Sequence, residues 1–196
     1  MNKKYFLTPI IVLIALCGGE NADVTENNES VETTVSSSVE EPTIDLITAV
    51  IDDDLEAVNQ HIAYGSDLNV QDGTFSNTPL NFAGIYGLTD IANALIDAGA
   101  DLNLINDDNF TPLCNAAAWG HTSVVTILLD AGADLSAKCF ETQIGVSVTL
   151  SIAIGAPYSD YIKSLYVDHG EKYNIPYDET KIIDGREKVI ELLRSR

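Results

Sequence analysis

The stretch TPLNFAGIYGLTDIANALIDAGADLN, starting at Thr78, is written again from Thr111 as TPLCNAAAWGHTSVVTILLDAGADLS. The offset is 33 residues from Thr78 to Thr111 and 33 from Gly99 to Gly132. A fixed period of this size marks architectures whose units bury their apolar faces only against one another. Each copy reads as two short helices. Thr78 and Thr111 are N-cap types, and Pro79 and Pro112 take the first helical position, where a missing N–H costs nothing. Gly87 and Gly120 break to a second helix, in which Ile91, Leu95 and Ile96, or Val124, Val125, Leu128 and Leu129, recur at helical spacing. Gly99 and Gly132 then fit a left-handed C-terminal cap.

A weaker copy precedes these two, its Gly65 lying 34 residues before Gly99, with the extra residue in the loop QDGTFSN. A later copy, TLSIAIGAPYSDYIKSLYVDHGEKYN, is stretched, since Leu113 to Leu150 is 37 residues. GREKVIELLRSR closes the chain with the spacing of a half-repeat. On the TPL starts, the Ala-rich first helices and the GAD endings, residues 43–196 resemble the ankyrin repeat family. The resemblance implies an all-α solenoid of four repeats plus a C-terminal half-repeat cap. Both central copies depart from the family in one slot: Asn81 and Cys114 stand where a histidine usually follows TPL. In that family the histidine supplies a hydrogen bond between repeats.

The chain opens with Lys3 and Lys4, a 12-residue mostly apolar run from Tyr5 to Leu16, and then Cys17. That run is shorter than the ~20 residues a membrane-spanning helix needs and fits the apolar core of a secretory signal. With Cys17 directly after it, the arrangement resembles a bacterial lipoprotein signal, in which the cysteine carries the lipid. Leu16 departs from the small residue the pattern prefers before the cysteine. The expectation is therefore a signal peptide over 1–16 and an exported protein, in the periplasm or cell envelope, lipid-anchored through Cys17. The alternative is ordinary cleavage nearby and a soluble secreted chain. Residues 17–42 are polar and acidic, and from Glu20 to Glu41 they hold no aromatic residue, Lys or Arg. Such a segment cannot bury enough apolar surface to offset its ordering entropy, and it is expected to be a disordered tether.

The resemblance also implies where a partner binds: at the hairpin tips between repeats and on the open side of each first helix. Carried over position by position, the partner-binding candidates are Asp52, Phe75, Ile85, Tyr86, Ile105, Asp107, Asp108, Phe110, Trp119 and Phe140. Trp119 is the one tryptophan of the chain, and aromatic anchors often dominate binding energy. The competing reading is that residues 138–149 fold over Trp119 and make it core. Charge narrows the partner. Tyr5 to Ala137 contains no Lys or Arg, within a chain of formal net charge −20. An acidic surface favours a basic protein through steering and complementarity, and it excludes nucleic acid, whose phosphates demand the opposite sign. A generally acidic surface that serves solubility is the plainer alternative.

Enzyme motifs are missing: there is no GxSxG, HExxH or phosphate-cradling glycine loop. His61 falls on a second helix, His121 opens another and His169 is expected in a turn, which is no metal-ligand pattern. The carboxylates in IDDDL and NDDNF lack the spacing of a calcium loop and read as a solvated acidic face. No catalytic residue, metal or cofactor is expected. In an oxidising compartment Cys114 and Cys139 invite a disulfide, the alternative being a buried free thiol. The sequence thus points to a protein-binding scaffold. Two narrower versions are an inhibitor or immunity-type protein that neutralises an exported toxin or enzyme, and a structural envelope lipoprotein.

Overall fold

The computed structural model describes residues 40–136, 160–175 and 177–195, with side chains for all of these except 160–166. Among the described residues every regular element is a helix. Three pairs come first: α1 (Leu46–Ile51) with α2 (Leu55–Tyr64), α3 (Pro79–Tyr86) with α4 (Thr89–Asp97), and α5 (Pro112–Trp119) with α6 (Thr122–Asp130). Two longer helices follow, α7 (Asp160–Tyr173) and α8 (Glu179–Arg194).

The ends of the short helices are fixed by the residues the repeat places there. Thr78 accepts from the backbone N–H of Asn81, and the Asn81 side chain accepts in return from the N–H of Thr78, closing a capping box. Thr111 caps α5 the same way, accepting from the N–H of Cys114. Asp45 and Asp54 cap α1 and α2. These helices have 6 to 10 residues, too short to be stable alone in water, so their stability comes from packing.

That packing runs in two rows. First helices stack α1 on α3 on α5, and second helices stack α2 on α4 on α6. Between the rows lie Val50, Val58, Leu80, Phe82, Ile85, Ile91, Leu95, Leu113, Val124, Val125 and Leu128, all at most 1% exposed. The first helices α3 and α5 are buried on almost every side. Every residue of α5 is buried, and α3 leaves only Tyr86 half-open. Small residues make this contact close: a Cβ added at Gly84 would sit 2.8 Å from the carbonyl oxygen of Pro112.

The loops between pairs are tied across repeats. The Asn69 side chain accepts from the N–H of Asp101 at 2.8 Å, and one repeat later Asn103 accepts from the N–H of Asp134 at 2.9 Å. Asn81 also takes over the missing histidine's task, since its Nδ2 donates to the carbonyl of Phe110 in the next loop at 3.2 Å. Cys114, in the same slot, takes the hydroxyl of Thr111 on its sulfur.

At the C-terminal end the structure departs from simple continuation of the repeat. The helix that packs on both α5 and α6 is α8, where a fourth pair would stack. Gly120 and Gly185 make this approach possible, since a Cβ added at Gly120 would lie 2.9 Å from the Cα of Gly185. The fourth copy carries neither Thr-Pro start nor the 33-residue spacing. Its residues 149–159 lie outside the described residues. The rest of it forms α7, whose last turn reaches back to the loops before α3 and α5.

Candidate interaction face

Loop geometry builds this face first. Ahead of α3 the carboxylate of Asp72 accepts from the N–H groups of Thr74, Phe75 and Asn77. One repeat on, Asn106 does the same for Asp108 and Phe110. The two loops are joined by Asn106 Nδ2 donating to Asn77 Oδ1 at 2.8 Å and by Asp107 N–H donating to the carbonyl of Phe75 at 2.9 Å. Phe75, Asp107 and Asp108 are therefore held at fixed heights beside the first helices, with Tyr86 at the end of α3.

The last turn of α7 lies against this face. The imidazole of His169 stacks on Phe75 with centroids 4.4 Å apart and planes 19° apart, and its Nε2 is 3.5 Å from Oδ2 of Asp108. One turn later the ring of Tyr173 stands edge-on to Phe82 at 4.9 Å. Its hydroxyl donates to Oδ2 of Asp72 at 2.8 Å. Its carbonyl accepts from the hydroxyl of Tyr86, also at 2.8 Å. Burial pushes the Tyr86 hydroxyl up to about 12, with the Asp52 carboxylate adding to the shift. Tyr173 is pushed up too, by burial and then by its bond to Asp72. Asp108 is raised chiefly by burial, which outweighs the lowering effect of His169.

The structure redistributes the sequence candidates. Asp52, Ile105 and Asp107 are exposed, Ile105 at 50%. Phe75, Tyr86 and Asp108 are half-buried and engaged by α7. Ile85, Phe110 and Trp119 are corrected as to place: at 1%, 6% and 7% exposure they belong to the core and present no open surface. Ile85 is sealed by the close stacking of α3 on α5. Phe110 turns inward while its backbone answers Asn81 and Asn106. Trp119 closes α5 just before the Gly120 contact with α8. Phe140, Cys139 and Cys17 lie outside the described residues, as do the signal segment and most of the tether. Cys114 is disulfide-bonded.

His169 is corrected as well, since it sits inside α7 and not in a turn. The sequence reading missed it and Tyr173 as parts of this face. The usable signal was their spacing of four, which puts both on one side of a helix. The other two histidines hold backbone. His61 Nε2 donates to the carbonyl of Ile44 at 2.8 Å while its Nδ1 pairs with the Ser66 hydroxyl at 2.9 Å. His121 Nε2 donates to the carbonyl of Ile85 at 2.9 Å. Among the described residues no group of His, Cys, Asp and Glu converges as a metal ion would require, and no helix is long and apolar enough to cross a membrane.

Comparison with known proteins agrees with the helix pairs. Residues 46–139 match the family described as ankyrin repeats (3 copies). No match was found among curated proteins.

Proposed function

Since residues 46–139 belong to the ankyrin repeat family, whose members generally bind other proteins and are typically not enzymes, we propose that this chain is an exported, lipid-anchored module that holds a basic protein partner. The observation that carries the reading is the stack of three helix pairs whose 5–137 stretch contains many carboxylates but no Lys or Arg. Rigid loops tied across repeats present those carboxylates without further ordering on binding. Asp52, Ile105 and Asp107 are the candidate contacts that stand open to solvent.

Export is supported by the charged and apolar opening before Cys17 and by the disulfide at Cys114, a bond that persists in oxidising compartments. Cys139 is the partner we assign to it. The test is affinity capture from a cell-envelope extract with the wild type and with an Asp52→Asn/Asp107→Asn variant. The reading predicts a basic protein retained by the wild type, released by rising salt and held more weakly by the variant. Retention of nothing beyond what an unrelated acidic protein retains would contradict it.

A further inference from the structure

Within the repeat stack, side-chain hydrogen bonds between repeats join residues 29 to 36 positions apart, about one period. The contact of α7 is of another kind. It joins residues 87 and 101 positions apart, Tyr86 to Tyr173 and Asp72 to Tyr173. It uses a stacked ring, an edge-on ring, two hydrogen bonds and an imidazole beside a carboxylate, the vocabulary of recognition more than of core packing. The first helices stack on one another and are capped by α8 without α7. Of the walls that α7 touches, Phe75 and Tyr86 remain partly exposed even with it in place, and the Asp108 side chain keeps 14% of its surface open. Its own Val167 points to solvent at 37% exposure.

We propose that Phe75, Phe82, Tyr86, Asp72 and Asp108 form a peptide-recognition face that the chain occupies with its own last turn of α7, and that the partner it fits presents a helix with an imidazole or cationic side chain and a tyrosine four positions later. The inference rests on the protein-binding reading above and specifies its surface. The built-in ligand states the chemistry. A flat cationic or imidazole group stacks on Phe75 while facing Asp108. A phenol inserts between Phe75 and Phe82 and donates to Asp72. The carbonyl at the helix end accepts from Tyr86. An arginine-rich helix ending in tyrosine satisfies these contacts and meets the acidic surface around them. A partner binds only the fraction of molecules whose α7 has left, so the resident turn lowers apparent affinity by that fraction.

The test uses the full chain and one probe, a fluorescein-labelled synthetic peptide of residues 160–175, followed by anisotropy. A His169→Ala/Tyr173→Ala variant, checked by circular dichroism and melting, should bind the peptide at least ~10-fold more tightly than the wild type does. The same peptide carrying both alanines should bind neither. If the double variant does not fold, Tyr173→Phe is read instead, with tightening of about threefold expected from loss of the one hydrogen bond. Equal binding to wild type and opened chain, binding that ignores the peptide's own His and Tyr, or no binding to any folded variant would overturn the proposal. The assay contains no partner protein, so such a failure removes this face and leaves the protein-binding reading standing. Failure of the envelope capture would remove that reading with the peptide result intact.

Discussion

Gly87 and Gly120 hold the same place in successive repeats, with φ of +75° and +77°, but what lies against them differs. A Cβ at Gly87 would run into the ring of His121, a residue of the next repeat, at 2.5 Å. A Cβ at Gly120 would run into the backbone of α8, at 2.9 Å from both Gly185 Cα and the carbonyl of Ile182. Inside the array the neighbour is another copy, and a side chain fits the gap. At the end of the array the neighbour is the longer helix α8, and two glycines bring backbone onto backbone. Repeats close on themselves by rule, and the last one is closed by a contact made for it alone.

Substitutions at these glycines separate the two kinds of closure. Gly120→Ala should have the largest effect, since it adds a left-handed backbone cost of ~1–2 kcal/mol to overpacking of ~1–3 kcal/mol. Chemical denaturation midpoints would show it. Gly185→Ala isolates the packing part. In a free helix that change would stabilise by roughly 1 kcal/mol, yet here the new methyl meets the carbonyl of Gly120. A net loss of stability is expected, and a net gain would mean that α8 does not sit on α5.

Asn81→Ala sharpens the comparison within the array. Asn81 is fully buried and serves both the cap on Thr78 and the bond to Phe110. Its loss leaves buried backbone groups unanswered, at a cost of about 1–3 kcal/mol, read from the same midpoints.

The smallest effect is a pH dependence at His121. Burial depresses its folded-state pKa below 6.5, and the hydrogen bond to Ile85 only partly opposes that. The unfolded chain therefore takes up the proton first as pH falls. The stabilising contribution is complete above pH 6.5 and is lost on acidification toward the folded-state pKa. His121→Gln, which keeps a donor for the Ile85 carbonyl, should flatten the melting temperature across that window. An equal slope in the variant would mean that other groups carry it.

The same contrast explains what could be read from the chain and what could not. Thr78-Pro79, Thr111-Pro112 and the glycine ends are local signals repeated at fixed spacing, so the helix pairs were legible residue by residue. Trp119 was not. The equivalent position in the preceding repeat is the half-buried Tyr86, whereas Trp119, near the end of the array, is buried, and no local pattern announces that. Phe110 misled for a different reason: loop position argued for exposure, while the hydrogen bonds of Asn81 and Asn106 to its backbone turn the ring inward. The pairing of Tyr173 with Asp72 spans 101 positions and has no periodic echo, so only the folded chain reveals it. Asp52 and Asp107 kept their expected exposure because loop carboxylates are costly to bury.

The central claim is that the chain's own α7 covers the face formed by the loops of its repeats. A double-mutant cycle between Asp72→Asn and Tyr173→Phe, measured as unfolding free energy of the full chain, tests it most directly. The cycle should return a coupling of about 0.5–1.5 kcal/mol, the ordinary range for one such hydrogen bond. Strictly additive single effects, with no coupling, would contradict it and leave the face open.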